Sequence, residues 1–198
     1  MTKETVSGRE DPGGAAARPV RRVAVIGAEC TGKTTLCQAL AQQLPGVAFP
    51  EPLRLWVAQK GAPPSRPEQQ TLFDMQCEAE AKGAQQAIAL GMSWVLCDSA
   101  PLVTAVYSEV YYGDPGLYDL AFAHHAQCYE ATLVCDTDLP WAADPGQRDG
   151  PAFRSNTHAV LLQRLEDHGL AYCMVRGHGS ERARLAQDFL ARVDSRYR

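Results

Sequence analysis

The run Gly27-Ala28-Glu29-Cys30-Thr31-Gly32-Lys33-Thr34, continued by Thr35, has the spacing G-x-x-x-x-G-K-[ST] of a loop that grips a polyphosphate. Gly27 and Gly32 permit backbone angles that aim successive N–H groups at a β-phosphate. A helix opening near Lys33 adds the positive end of its dipole. Lys33 would then bridge the β- and γ-phosphates of a nucleoside triphosphate such as ATP, and the Thr34 hydroxyl would ligate Mg²⁺. An apolar, β-branched run, Arg22–Gly27, precedes the motif and a helical pattern follows it. That context separates a phosphate cradle from a chance glycine-rich turn.

Three further groups could do chemistry beside it. Asp98 ends a second apolar run, Trp94–Asp98; at the carboxyl edge of a parallel sheet its carboxylate reaches the ligand crevice. There it could hold the metal or accept a hydroxyl proton. Glu51 and Arg54 follow a short strand in Phe49-Pro50-Glu51-Pro52-Leu53-Arg54 and suit a polyhydroxy substrate, although Glu51 could equally open a solvated helix. Arg148 and Arg154 sit in a turn-rich stretch after the fourth strand. Guanidinium groups brought over the γ-phosphate would offset the charge that spreads on its oxygens during transfer. Trp56, Tyr107 and Tyr111 could stack on a flat ring or simply pack. Asp136 and Asp138 end the fourth strand and either join the site or support the lid.

The elements that must position these groups are short apolar runs alternating with helical patterns. Strands are expected at Arg22–Gly27, Val47–Phe49, Trp94–Asp98, Ala131–Asp136 and Ala171–Val175. Helices are expected at Lys33–Leu44, Pro67–Leu90, Leu102–Tyr112, Leu117–Cys128, Arg154–His168 and Glu181–Val193. The long helix would bury Leu72, Met75 and Ala79, and the last one Leu185, Phe189 and Val193. Parallel crossovers need helix-sized connections, so the pattern predicts an α/β fold: a five-stranded parallel sheet with helices on both faces. Residues 1–20 read as a flexible tail and 21–198 as one domain with a lid over about 139–154.

Composition closes off several alternatives. With 45% apolar and 21% charged residues among 198, the chain is of ordinary globular type and long enough to bury a full core. A net charge of −4 gives no basic face for a nucleic acid, and no apolar run approaches a membrane span. Seven cysteines without a C-x-x-C pair suit reduced thiols in a cytoplasm better than a disulfide or zinc framework. No N-K-x-D guanine signature is present. A small-molecule kinase, whose lid keeps water from the γ-phosphate, is the expectation; a plain ATPase and a non-catalytic nucleotide sensor remain alternatives. A homo-oligomer is left open.

The same residues resemble a family. GAECTGKT is similar to the G-x-E-[SC]-[ST]-G-K-[ST] loop of the nicotinamide riboside kinase domain in bifunctional NAD-salvage proteins of the NadR type. Glu51-x-x-Arg54 resembles that family's E-x-x-R after strand two. Asp98-Ser99-Ala100-Pro101 through Thr104, Tyr111 and Gly113 resembles its D-[ST]-x-x-x-x-T segment ending in Y-x-G. Asp138-Leu139-Pro140-Trp141-Ala142-Ala143-Asp144, followed by Arg148 and Arg154, resembles its D-x-P-W-x-x-D lid, and Leu170 to Arg182, with Gly177, its closing strand and adenine-side loop. The resemblance implies a P-loop kinase with ATP and Mg²⁺ acting on the 5′-hydroxyl of nicotinamide riboside. It implies Lys33, Asp98, Arg148 and Arg154 as catalytic, Glu51, Arg54, Trp56, Asp98 and Tyr111 around the nucleoside, and Thr34 and Asp98 at the metal. Only a tail is expected ahead of the kinase, in place of the adenylyltransferase domain. Pro50 stands where that family often has an aromatic, and Glu51-Pro52…Trp56 also resembles the E-P-x-x-x-W segment of deoxynucleoside kinases, whose Glu serves as base. The identity of the nucleoside base stays open.

Overall fold

The computed structural model describes residues 20–142 and 150–195. Strands β1 (Arg21–Ile26), β2 (Gly46–Phe49), β3 (Trp94–Asp98), β4 (Ala131–Cys135) and β5 (Cys173–Val175) form one sheet in the order β2-β3-β1-β4-β5, every pair parallel. The expected fold class is the observed one.

Among the described residues six α-helices lie between the strands, α1 (Lys33–Gln43), α2 (Pro52–Lys60), α3 (Gln69–Ala89), α4 (Pro101–Tyr112), α5 (Tyr118–Cys128) and α6 (Pro151–Asp167), and α7 (Ser180–Ser195) follows the last strand. Successive residues of a strand face opposite sides, so Val23 and Val25 pack under α1 and α7 while Ala24 and Ile26 pack under α3 to α6. Both faces are covered, and β1, β3 and β4 carry near-continuous apolar sequence as a doubly covered strand must. A fully buried Leu, such as Leu40, Leu133 or Leu190, contributes about 1.5–3 kcal/mol.

Three expectations change. Helix α2 was not among the expected helices, although Glu51 was allowed as a helix start: Glu51 caps it, Pro52 occupies its first position and Gly61 closes it in the left-handed conformation, proline being favoured at the first helical position. Helix α3, entered through a 3-10 turn at Arg66–Glu68 capped reciprocally by Ser65 and Glu68, buries Gln69, Leu72, Phe73, Gln76, Glu80, Gly83 and Ala87. Met75 and Ala79 are only partly buried, because the inward face runs one position away from the purely apolar series. Helix α7 likewise buries Ala183, Ala186, Leu190 and Val193, leaving Leu185 36% exposed; the small alanines face the sheet.

Candidate active site

The strand order reverses direction around β1, whose neighbours are β3 and β4. Ligands of open parallel sheets bind outside the carboxyl ends of the strands at such a switch point. The loop 27–32 leaves β1 there, and Val25 pairs in register with Asp98 of β3. The two chemistry-bearing segments are therefore brought together by strand pairing.

Gly27 has φ +148°, and a Cβ there would lie 2.8 Å from the Cys135 carbonyl oxygen. Gly32 caps α1 at φ +79°, and a Cβ there would meet Leu139 at 2.9 Å. Neither position accepts a side chain. Cys30 and Ser99 hold positive φ, 54° and 73°, without being glycine; such angles cluster where surrounding structure over-determines the backbone. Thr31 is fully buried, and its hydroxyl donates to the Ala28 carbonyl at 2.8 Å, closing the loop on itself rather than facing a ligand. The Lys33 ammonium donates to the same carbonyl at 2.9 Å. Thr35 is exposed in the first turn of α1.

The Thr34 hydroxyl donates to Asp98 Oδ2 at 2.5 Å. Asp98 is 3% exposed, and its Oδ1 is buried without a hydrogen-bond partner. A hydroxyl and an unsatisfied carboxylate oxygen are hard donors that fit Mg²⁺, an ion that keeps several waters and takes one or two protein ligands beside phosphate oxygens. No group of three or more His, Cys, Asp or Glu able to hold a metal occurs among the described residues.

A cavity of about 320 Å³ opens beside this pair. Glu29, Cys30 and Lys33 form its phosphate end, with Glu51, Arg54 and Ser99 next to them. Leu72 and Val103 line it further, and Tyr107, Tyr111 and Tyr112 form an aromatic side. Tyr111 lies 4.6 Å from the Phe153 ring, centroid to centroid, and 5.8 Å from Tyr107. Burial pushes the Glu51 carboxyl above its ordinary value and Asp98 adds to the rise, while Lys33, Arg54 and a Ser99 hydrogen bond oppose it. A carboxylate whose proton affinity is raised is a stronger base than an exposed one. Trp56, expected to stack on the ring, is buried at 5% exposure and is not a lining residue; the Lys60 ammonium lies 4.7 Å from its ring centroid.

Two arginines clamp the loop. Arg154, expected at the junction of the lid and the helix that follows it, lies in the first turn of α6 and is 8% exposed. It donates to the carbonyls of Leu139 (2.9 Å), Thr137 (3.3 Å) and Cys30 (3.4 Å), tying the segment after β4 to the loop between β1 and α1. The Cys30 thiol reinforces the tie, accepting from the Ala142 amide at 3.2 Å. Arg182, which the motif reading passed over as a helix residue, donates to the Thr31 carbonyl at 2.8 Å and to Asp138 at 2.7 Å. Asp138 also accepts the Gly177 amide at 2.7 Å, so Gly177 braces the loop through its backbone. Asp136 pairs with Arg176 at 2.6 Å and lies 3.4 Å from His158. Arg148 and Asp144 lie outside the described residues.

Residues 22–182 match the AAA domain family. The chain belongs to that family. Structures of NadR, one in complex with NAD and AMP-PNP and one with NR, share this AAA domain's fold at a TM-score of 0.72 and 20% identity over 88% of the chain. The chain spans about half the length of those proteins, 49% and 51%. Deoxyadenosine kinase from M. mycoides with bound dATP gives a TM-score of 0.57 at 12% identity, covering 86% of this chain and 99% of that one. A search of curated protein sequences gave no match. No helix among the described residues is long and apolar enough to cross a membrane, and all seven cysteines are free.

Proposed function

We propose that this AAA domain is an ATP-dependent nucleoside kinase that phosphorylates a 5′-hydroxyl, with nicotinamide riboside as the foremost acceptor. One observation carries the reading: a single cavity joins the phosphate-gripping Lys33 to Glu51, Arg54 and an aromatic wall. A triphosphate and a flat-ringed polyol can therefore meet end to end.

In this scheme the loop amides and Lys33 hold the β- and γ-phosphates, and Thr34 and Asp98 hold Mg²⁺, which when bound neutralises charge on the transferring phosphoryl group. Glu51 takes the proton of the 5′-hydroxyl as its oxygen bonds to the γ-phosphorus; the bond from that phosphorus to the β–γ bridging oxygen breaks, and ADP leaves. Arg54 and Glu51 hold the ribose. The resemblance assigns Arg148 to the γ-phosphate, and Arg154 ties the segment after β4 to the glycine-rich loop. Tyr107 and Tyr111, with Glu29 and Glu51 close by, favour a ring that carries positive charge, as the pyridinium of nicotinamide riboside does. A second reading, a neutral deoxynucleoside, is favoured by the E-P-x-x-x-W segment and the raised Glu51 carboxyl. Seven free thiols suit a reducing cytoplasm.

The test is ADP release and product mass with Mg·ATP and a panel of nucleosides. Acceptor-stimulated release is expected, abolished in Lys33→Ala. Release without an acceptor would make the protein an ATPase, and binding without release a sensor.

A further inference from the structure

Helix α3 lines the cavity with Gln69, Leu72 and Gln76 at successive turns. The nucleotide-handling scheme uses none of them. One turn beyond Gln76, outside the cavity lining, stands Glu80, with no solvent exposure at all. A charge-bearing side chain so deeply buried must be fully hydrogen-bonded to be tolerated. Its bonds are specific: the Gln76 Nε2 donates to Glu80 Oε1 at 2.7 Å, and the Tyr129 hydroxyl donates to Oε2. Burial lifts the Glu80 carboxyl to about 7, while the bonds from Tyr129 and Gln76, the charge of Arg22 and the Cys97 thiol pull it down.

An amide has a donor end and an acceptor end of nearly the same shape, so an unanchored Gln could turn either toward a ligand. Tyr129 donates to one Glu80 oxygen, and the other accepts an N–H of Gln76. Glu80 holds one N–H of the Gln76 amide and Gln76 lines the cavity, so the amide oxygen and the second N–H remain to meet a ligand there. Gln69, which lines the same wall, spends its amide N–H on the Pro64 carbonyl at 2.9 Å.

We propose that Glu80 is a positioning residue that locks the Gln76 amide, making the cavity select acceptors whose ring presents a hydrogen-bond donor beside an acceptor. A primary carboxamide on a pyridinium ring and the amino–imine edge of an aminopurine both carry that pair. This deepens the nucleoside-kinase reading and rests on it for the location of the ring.

The experiment uses two matched pairs: nicotinamide riboside against nicotinic acid riboside, and deoxyadenosine against purine deoxyriboside. In each pair the second member lacks the donor. Calorimetric Kd and steady-state kinetics are measured on the full chain, with thermal melts as a folding control. Wild type prefers the donor-bearing member of at least one pair by about 10- to 100-fold, the range of a hydrogen bond whose loss strands a buried partner; the pair that shows it names the ring. In the isosteric Glu80→Gln, one amide must serve both Tyr129 and Gln76, so the preference collapses toward unity through KM. There kcat and the KM for ATP stay within about threefold. Gln76→Leu gives the same collapse, and the double variant adds nothing further, as expected of residues acting as one unit.

Equal Kd values within both pairs, or no binding of any of the four, overturn the proposal. So does a Glu80→Gln variant that loses all acceptors equally together with its melting temperature, which marks a purely structural carboxylate. Selective binding without phosphorylated product would instead sink the kinase reading and leave the Glu80–Gln76 lock standing.

Discussion

Replacing Arg182 by Met keeps the aliphatic stem and removes every polar contact of the guanidinium. The side chain is about 6% exposed, whereas that of Asp138 is 29% exposed. The lost bonds, to Asp138, to the Thr31 carbonyl and, at 3.4 Å, to the Gly177 carbonyl, therefore differ in worth. Asp138 keeps the Gly177 amide and reaches water, so losing its arginine costs on the order of 1 kcal/mol after solvent screening. The Thr31 carbonyl, on a residue with no exposure, is stranded, and an unsatisfied buried acceptor costs about 1–3 kcal/mol. Together Arg182→Met should lose roughly 2–4 kcal/mol, or about 5–15 °C in Tm for a domain of this size. Urea unfolding supplies the first number and a thermal melt the second. The Thr31 carbonyl is part of the phosphate loop, so Mg·ATP affinity should fall as well. A double-mutant cycle with Asp138→Asn isolates the pair itself, with a coupling energy of about 0.5–3 kcal/mol. Arg182→Met stability within 0.5 kcal/mol of wild type would refute the claim that α7 braces the loop. A stability loss with unchanged nucleotide affinity would refute its functional half.

Three other perturbations follow from the same geometry. Asp98→Asn should lower Mg²⁺-dependent turnover by about 10²–10³-fold and shift the acid limb of kcat/KM to lower pH, because the Asp98 charge helps to raise Glu51; a pH–rate profile reads both. Gly83→Ala gains about 1 kcal/mol of helix propensity, yet its Cβ would lie 2.3 Å from the Phe49 ring, so overpacking of about 1–3 kcal/mol should win in a thermal melt. His125 is 3% exposed, and burial first, then His124, lowers its imidazole to about 4. The folded state thus binds fewer protons between pH 6.5 and 4. Stability is therefore undiminished above the unfolded value near 6.5, falls as the unfolded state alone takes up the proton, and levels off below about 4. Compared with His125→Gln, wild type should lose about 3 kcal/mol more between pH 7 and 4; parallel urea-stability profiles would contradict it.

Sequence alone determined the glycine-rich loop between β1 and α1, the parallel sheet and the strand-end position of Asp98. Each depends on contacts made within a few residues or on a simple periodicity. A glycine's backbone freedom, a lysine one residue past a turn and a β-branched run bounded by glycine keep their meaning wherever the chain goes. The aromatics were legible only by type. Nothing in the spacing says that Tyr107 and Tyr111 line a cavity while Trp56 does not, because that depends on how α2, itself hidden behind two prolines, packs on α3.

Tertiary structure decided the rest. Arg182 reaches Thr31 across 151 positions and Arg154 reaches Cys30 across 124, separations over which a local pattern carries no information. Glu80 and Gln76 were visible as polar residues at helical spacing four, a signal that ordinarily marks a solvated face. Only the covering of that face by β3 and the Tyr129 corner turns them inward. The chemistry of a short motif is local, but the choice of which polar groups become buried partners belongs to the packing of distant elements.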